Sequence, residues 1–153
     1  MTSLTISMRE PVFRISHRVI YGDTDAGGIV YNANYLRYCE MGRTELMREL
    51  GLPYSAIEER GLIIPVTESY LRFKAPARYD DLVLIDTSLA EIKKFSCRFN
   101  YRVSRQEGDR ELLLVKGFTV HACVNRDGGL TPFPADLVRI MKAAYNEDGG
   151  NAP

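Results

Sequence analysis

Neither sign of charge prevails in this chain. Lysine plus arginine and aspartate plus glutamate number 20 each across 153 residues, so no net field draws it to nucleic acid or to an anionic membrane. No apolar run reaches the roughly 18 residues that a membrane-spanning helix requires. Residues 1–11 lack the basic front and apolar middle of a secretory signal and are expected to form a loose N-terminal extension. Cysteine is scarce: Cys39, Cys97 and Cys123 stand far apart, with no Cys-x-x-Cys pair. This argues against a zinc site and for buried free thiols in a reducing cytoplasm. Repeats and low-complexity tracts are absent too. What remains is a chain of 45% apolar residues, enough for the core of one domain over residues 12–145, followed by a flexible tail at 146–153.

Residues 12–21 alternate, with Phe13, Ile15, His17, Val19 and Tyr21 on one face, and predict a strand. The period then changes. Leu36, Cys39, Met47 and Leu50 recur at helical spacing over residues 33–50, and Gly51 is a good stop. Such a helix is roughly 27 Å long. Pro53 opens a short second helix over residues 54–60. The remainder reads as strands at 62–73, 82–91, 95–103 and 112–124, with turns at 106–109 and 125–129 and a last helix at 134–145. Gly117 is expected at a bulge. One strand, one long helix and four more long strands with tight turns favour an antiparallel sheet covered on one face, an α+β architecture.

The junction between the first strand and the long helix holds the densest chemistry: Tyr21-Gly22-Asp23-Thr24-Asp25-Ala26-Gly27-Gly28-Ile29-Val30-Tyr31. Two carboxylates and two glycines at a helix start can hold an acid beside exposed backbone N–H groups, which suits an acyl carbonyl that develops an oxyanion. A calcium loop fits poorly, since its twelfth position would be Asn34 in place of a bidentate Glu. An Asp-x-Asp phosphotransferase needs the repeated βα units that this chain lacks. A P-loop fails because no Gly-Lys-Ser/Thr follows, and no Gly-x-Ser-x-Gly elbow marks a serine hydrolase.

Gly22-Asp23-Thr24-Asp25-Ala26-Gly27-Gly28-Ile29-Val30-Tyr31-x-x-x-Tyr35-Leu36, followed by Glu40-x-x-Arg43 and by Phe73-Lys74-Ala75-Pro76-Ala77-Arg78-Tyr79-Asp80-Asp81, resembles the hotdog-fold acyl-CoA thioesterases. The nearest branches are the 4-hydroxybenzoyl-CoA and the Tol–Pal-associated enzymes. The resemblance covers residues 12–142 and implies a long central helix packed on a five-stranded antiparallel sheet. It implies hydrolysis of a short-chain aliphatic or aromatic acyl-CoA, with water as the only cosubstrate and no metal or bound cofactor. Asp25 would be the nucleophile or the general base. The backbone N–H of Asn32 would meet the oxyanion, and Tyr21 would orient Asp25 or the substrate. Gly28, Val30 and Tyr31 would lie against the substrate. Tol–Pal-type members carry His where this chain has Asn32; a backbone donor survives that change and a histidine acid–base does not. A homodimer or homotetramer is implied as well. The alternative from another class is a non-catalytic acyl-CoA or acyl-carrier-protein binding module on the same fold.

Around the motif, Asp23 is expected to be structural, accepting turn N–H groups. Glu40 and Arg43 are spaced for an ion pair on the helix. His17 and His121 read as satisfied strand histidines. Lys93 and Lys94, at a predicted hairpin, and Arg98 beyond it either meet the phosphates of CoA or form a solvated turn. Arg72, Lys74 and Arg78 make a second basic set with the same two readings.

Overall fold

Strict alternation places the apolar side chains of several strands on one face, and the long helix covers that face. A computed structural model describes residues 3–145. In chain order it contains β1 (Phe13–Arg18), a single 3-10 turn (Tyr21–Asp23), α1 (Asn34–Glu49), α2 (Tyr54–Glu59), β2 (Leu62–Ile63), β3 (Val66–Phe73), β4 (Leu82–Ile92), β5 (Ser96–Glu107), β6 (Arg110–Ala122), β7 (Val124–Asn125) and α3 (Ala135–Tyr145). Five strands form one antiparallel sheet in the order β1-β4-β5-β6-β3, and β2 pairs with β7 in a separate ribbon. This is the expected α+β arrangement of the hotdog type. No described helix is long and apolar enough to cross a membrane.

Helix α1 buries Tyr35, Tyr38, Cys39, Gly42, Leu46 and Met47 against the sheet, a stripe of helical period. Gly42 sets the closeness of approach, because an added Cβ would collide with the side chains of Thr87 and Ile85. The helix ends in a Schellman arrangement. Gly51 takes a φ of 78°, its N–H donates to the Arg48 carbonyl, and the Leu52 N–H donates to the Met47 carbonyl. The core has two halves. Val19, Val30, Tyr35 and Tyr38 pack with Val83, Ile85, Val103 and Leu114 near the start of α1. Leu46, Met47 and Ile57 pack with Leu89, Phe99, Leu137 and Met141 toward its end. Burying a side chain as fully as Leu46 stabilises by about 1.5–3 kcal/mol. All three cysteines are free and buried, as their apolar settings predict, and burial pushes the Cys39 and Cys97 thiols up to about 12.

Several expectations are corrected. The first strand stops at Arg18, and Tyr21 lies in the 3-10 turn. The strand expected at 62–73 is broken at Ile64–Pro65, so that Leu62–Ile63 leaves the main sheet for β7, as a proline without an N–H demands. Gly117 is no bulge: it pairs in register with Leu71 and Tyr101, and a Cβ there would strike the Tyr70 carbonyl and the Leu71 side chain. The irregularities fall instead at Val66/Glu68, Leu89/Glu91 and Val103/Ser104. Glu40 and Arg43 make no ion pair; the pair on this helix is Glu45 with Arg48.

The extension expected to be loose is tied down over its described residues. It runs across the face of the sheet opposite α1. Arg98, only 7% exposed, donates to the carbonyls of Ser3 at 2.6 Å and Thr5 at 2.9 Å and to Asn100 Oδ1 at 2.9 Å. Its guanidinium lies 3.9 Å from the centre of the Phe118 ring, and Asn100 Nδ2 donates to the Ser7 carbonyl. A buried cation must find acceptors, and the strap supplies them. Each such charge-assisted bond stabilises by about 1.5–3 kcal/mol. Arg98→Ala should therefore let trypsin cut after Arg9 at least about tenfold faster than in the parent, and equal cleavage rates would show that Arg98 does not hold the strap.

Candidate active site

The two aspartates of the motif are sent in opposite directions. After β1 the chain is pinned to the strand-connecting loop by the Val19 N–H on the Asp81 carbonyl and the Asp80 N–H on the Val19 carbonyl. The 3-10 turn then rotates Asp23 inward, where it is 6% exposed. Its Oδ2 accepts from Tyr38 Oη at 3.0 Å and the Ile20 N–H at 3.2 Å, and lies 2.9 Å from His17 Nε2. Its carbonyl accepts from the Tyr31 N–H and from Asn34 Nδ2, both at 2.8 Å. One residue thus joins β1, the 3-10 turn and the start of α1. Burial pushes the Asp23 carboxyl up, but the hydrogen bonds from His17, Ile20 and Tyr38 outweigh it and hold it below the usual range.

Asp25 sits at the tip of the next turn, exposed. Thr24 bridges to Val30, the Asp25 N–H donates to the Ile29 carbonyl, and the Gly28 N–H donates to the Asp25 carbonyl. Gly28 has a φ of 83°, which a side chain would resist. Asp25 Oδ1 accepts from the Gly27 N–H at 2.8 Å and the Ile29 N–H at 3.4 Å. The Asx-type turn expected of Asp23 therefore belongs to Asp25. A Cβ on Gly27 would come within 3.1 Å of Asp25 Oδ1, so the carboxylate would have to give by a few tenths of an ångström. Among the described residues, no group donates to Oδ2.

Asp25 and Asn32 line one cleft of about 360 Å³ with Ile29, Tyr35, Phe73 and Lys74. Just before α1 the N–H groups of Asn34, Tyr35 and Leu36 turn back to the carbonyls of Tyr31, Asn32 and Ala33. The N–H groups of Asn32 and Ala33 take no acceptor among the described residues, and no side chain caps the helix. Orphan donors and the positive end of the helix dipole thus adjoin an unpaired carboxylate oxygen. That combination can attack a carbonyl carbon, or take the proton of a water that attacks it, while the helix start receives the negative charge on the carbonyl oxygen.

A family model described as the thioesterase-like superfamily matches residues 19–141. The chain belongs to that superfamily. By class it is a thioester hydrolase. An acyl-CoA thioesterase of Haemophilus influenzae is 35% identical over 88% of this chain and 94% of its own length. A 1,4-dihydroxy-2-naphthoyl-CoA hydrolase of Thermosynechococcus vestitus is 30% identical over 90% and 93%. A 4-hydroxybenzoyl-CoA thioesterase, solved as an aspartate-to-asparagine variant with 4-hydroxybenzoyl-CoA, superposes with a TM-score of 0.78 at 26% identity, over 85% of this chain and 98% of its own.

The remaining residues that the sequence singled out in this thioesterase-like chain are scattered. Gly28 builds the turn, its N–H already engaged. Val30 lines the cleft from the core. Tyr31 is half exposed and gives its N–H to Asp23. The Tyr21 ring stacks on Tyr79 and has no described contact with Asp25. Lys93 pairs with Glu91 at 3.2 Å, Lys94 lies over Phe95, and Arg98 is under the strap. Arg18, just before the 3-10 turn, pairs with Leu82 at one end of β4, whereas Lys93 follows Ile92 at the other. Ten steps of strand put the two ends roughly 33 Å apart. Within one chain the lysine hairpin therefore lies far from Asp25. The 73–81 segment, which reads as a turn carrying Lys74 and Arg78 of the second basic set, walls the cleft with Phe73 and Lys74.

A second cavity of about 50 Å³ lies at the far end of α1, lined by Met47, Ile57, Phe99 and Met141 with Arg43 and His121. The Ile64 carbonyl can only accept, so His121 Nδ1 donates to it, and Nε2 accepts from Thr119 Oγ1, which accepts from Tyr101 Oη. Arg43 lines this cavity and faces the Tyr101 hydroxyl in place of Glu40. Burial, aided by Arg43, lowers His121 to about 4.

These two lowered groups define two acid windows. A group whose folded pKa is depressed contributes stability above its unfolded pKa and loses it as pH falls. Stability should fall by roughly 3 kcal/mol as pH drops from 6.5 to about 4, from His121. The Asp23 loss should begin only below about 3.8. Urea titrations of His121→Asn across this range should lack the first slope and keep the second; an unchanged first slope would remove His121 as its source.

Proposed function

We propose that the cleft hydrolyses an acyl-CoA to the free acid and CoA, with Asp25 as the reacting carboxylate and the Asn32 N–H as the oxyanion donor. The observation that carries this reading is that one cleft is lined by Asp25, whose Oδ2 takes no donor, and by Asn32, whose N–H takes no acceptor, among the described residues. In one route Oδ2 bonds to the thioester carbon, the C–S bond breaks, CoA leaves as thiolate, and water cleaves the mixed anhydride. In the other, Oδ2 takes a proton from water as its oxygen attacks. Both pass through an oxyanion facing the helix start. Ile29, Val30, Tyr35 and Phe73 form an apolar wall that suits a short aliphatic or aromatic acyl group, and water is the sole cosubstrate. The neighbour that holds 4-hydroxybenzoyl-CoA supports the aromatic choice.

The same reading makes the protein a homodimer or a homotetramer. β3 is an outer strand with Val66 and Phe73 half exposed, and pairing with a second copy would remove that unpaired edge.

Free-thiol release from acetyl, longer aliphatic, benzoyl and hydroxybenzoyl thioesters of CoA tests the assignment. Asp25→Asn should lower kcat by at least about 10²-fold, the contribution of a principal acid–base or nucleophilic group. A folded variant with parental kcat would sink the mechanism. No turnover by the parent across the panel would return the chain to the binding-module reading.

A further inference from the structure

The cavity at the far end of α1 is a space apart from the Asp25 cleft. No described residue lines both, and Arg43 lies nine residues along α1 from Asn34, roughly 14 Å of helix. The inner wall is buried and apolar, made by Met47, Ile57, Cys97, Phe99 and Met141. Arg43 and Thr44 are half-buried and Tyr54 is exposed, so the cavity opens on their side.

Arg43 is the one charged group on this wall. His121 commits both ring nitrogens, to the Ile64 carbonyl and to Thr119 Oγ1, and Thr119 closes the chain on Tyr101. The ring is neutral above about pH 4, and burial keeps the Cys97 thiol neutral as well. Among the described residues no carboxylate pairs with Arg43. Its charge is felt by Cys39, Cys97, Tyr101 and His121, so the cavity wall carries a positive potential. A guanidinium has five N–H donors, and the Tyr101 hydroxyl that it faces can accept only part of them.

An apolar pocket with one uncompensated cation at its mouth complements an anion with an apolar tail. The planar fork of arginine matches a carboxylate, and a single guanidinium balances one negative charge rather than the two of a phosphate. Volume limits the tail. About 50 Å³ takes roughly three or four groups of water or methylene size, at about 10–15 Å³ each.

We propose that this cavity is a second ligand site, for a short aliphatic monocarboxylate. The carboxylate lies on the Arg43 guanidinium, and a tail of about three carbons fills the space between Met47, Phe99 and Met141. Binding there needs neither Asp25 nor turnover.

Methyl NMR of methionine-labelled protein titrated with butanoate tests the site, because Met47 and Met141 wall the cavity and Met8 and Met41 do not. The Met47 and Met141 signals should shift along one saturable curve while those of Met8 and Met41 stay in place. Acetate, two methylenes shorter, should bind about tenfold more weakly. Octanoate should bind no more tightly than butanoate, because its tail exceeds the space. Butanamide, which has the shape without the charge, should also bind about tenfold more weakly. Arg43→Gln should weaken butanoate about tenfold and leave butanamide unchanged, and Arg43→Lys should restore the preference for the anion. Asp25→Asn should match the parent throughout. The proposal is overturned by the lack of a saturable Met47 and Met141 shift, by equal affinity for butanoate and butanamide, or by affinity that climbs through octanoate. A changed butanoate curve in Asp25→Asn would place the ligand in the cleft and overturn it too.

Discussion

The site depends on the buried carboxylate of Asp23. A charge removed from water is tolerated only where hydrogen bonds replace hydration, and here the replacements come from three places in the chain: His17 on β1, the Ile20 N–H before the 3-10 turn, and Tyr38 on the second turn of α1. The Asp23 carbonyl adds Tyr31 and Asn34. Satisfying this one residue therefore fixes where β1 ends, how the chain turns and where the helix begins. The exposed turn between Thr24 and Val30 is carried on that frame. Loss of the Asp23 contacts would move Asp25 and the Asn32 N–H independently, and a displacement on the order of 1 Å is enough to cost a reacting geometry about 10²-fold.

Asp23 and Asp25 show how one tripeptide supplies two unlike carboxylates. Thr24 lies between them: Asp23 closes the 3-10 turn with its side chain in the core, and Asp25 opens the exposed turn that the Thr24–Val30 bridge closes. The inner carboxylate gathers three donors on its Oδ2. The outer one is held by a single oxygen, on the N–H groups of Gly27 and Ile29, so the other oxygen stays available while the group cannot swing. The missing side chain of Gly27 gives the carboxylate room. Rigidity on one oxygen and freedom on the other is what a positioned nucleophile or base requires.

Much of this was legible in the sequence, because periodicity and the motif concern neighbours along the chain. The change of period from two to 3.6 after Tyr31 located α1, and the order of elements gave the sheet with its helix. What escaped involves residues distant in sequence. Nothing in Arg98 itself reveals that carbonyls of Ser3 and Thr5 will surround it; alternation with Cys97 and Phe99 says only that it faces away from the helix. Arg43 and Glu40 have the spacing of an ion pair, but the Tyr101 hydroxyl, brought near by β5, attracts Arg43 inward. Asp23 and Asp25 both have turn-forming neighbours, and only the tertiary contacts of Asp23 with His17 and Tyr38 decide that the Asx turn belongs to Asp25. Gly117 reads as an irregularity, yet its bareness serves the close approach of β3.

The separation between the two ends of the sheet then bears on assembly. An isologous, antiparallel pairing of β3 with its copy places the Val66 end of one strand beside the Phe73 end of the other. Val66 is joined through β6 and β5 to the turn at Lys93–Lys94, two strand spacings or roughly 10 Å away. Phe73 walls the Asp25 cleft. In the proposed dimer the lysine turn of each copy therefore approaches the other copy's cleft, although it is remote from its own. On this geometry the two basic sets differ: Lys74 lines the cleft of its own chain, whereas Lys93 and Lys94 would come to a cleft only across the β3 edge of the proposed dimer.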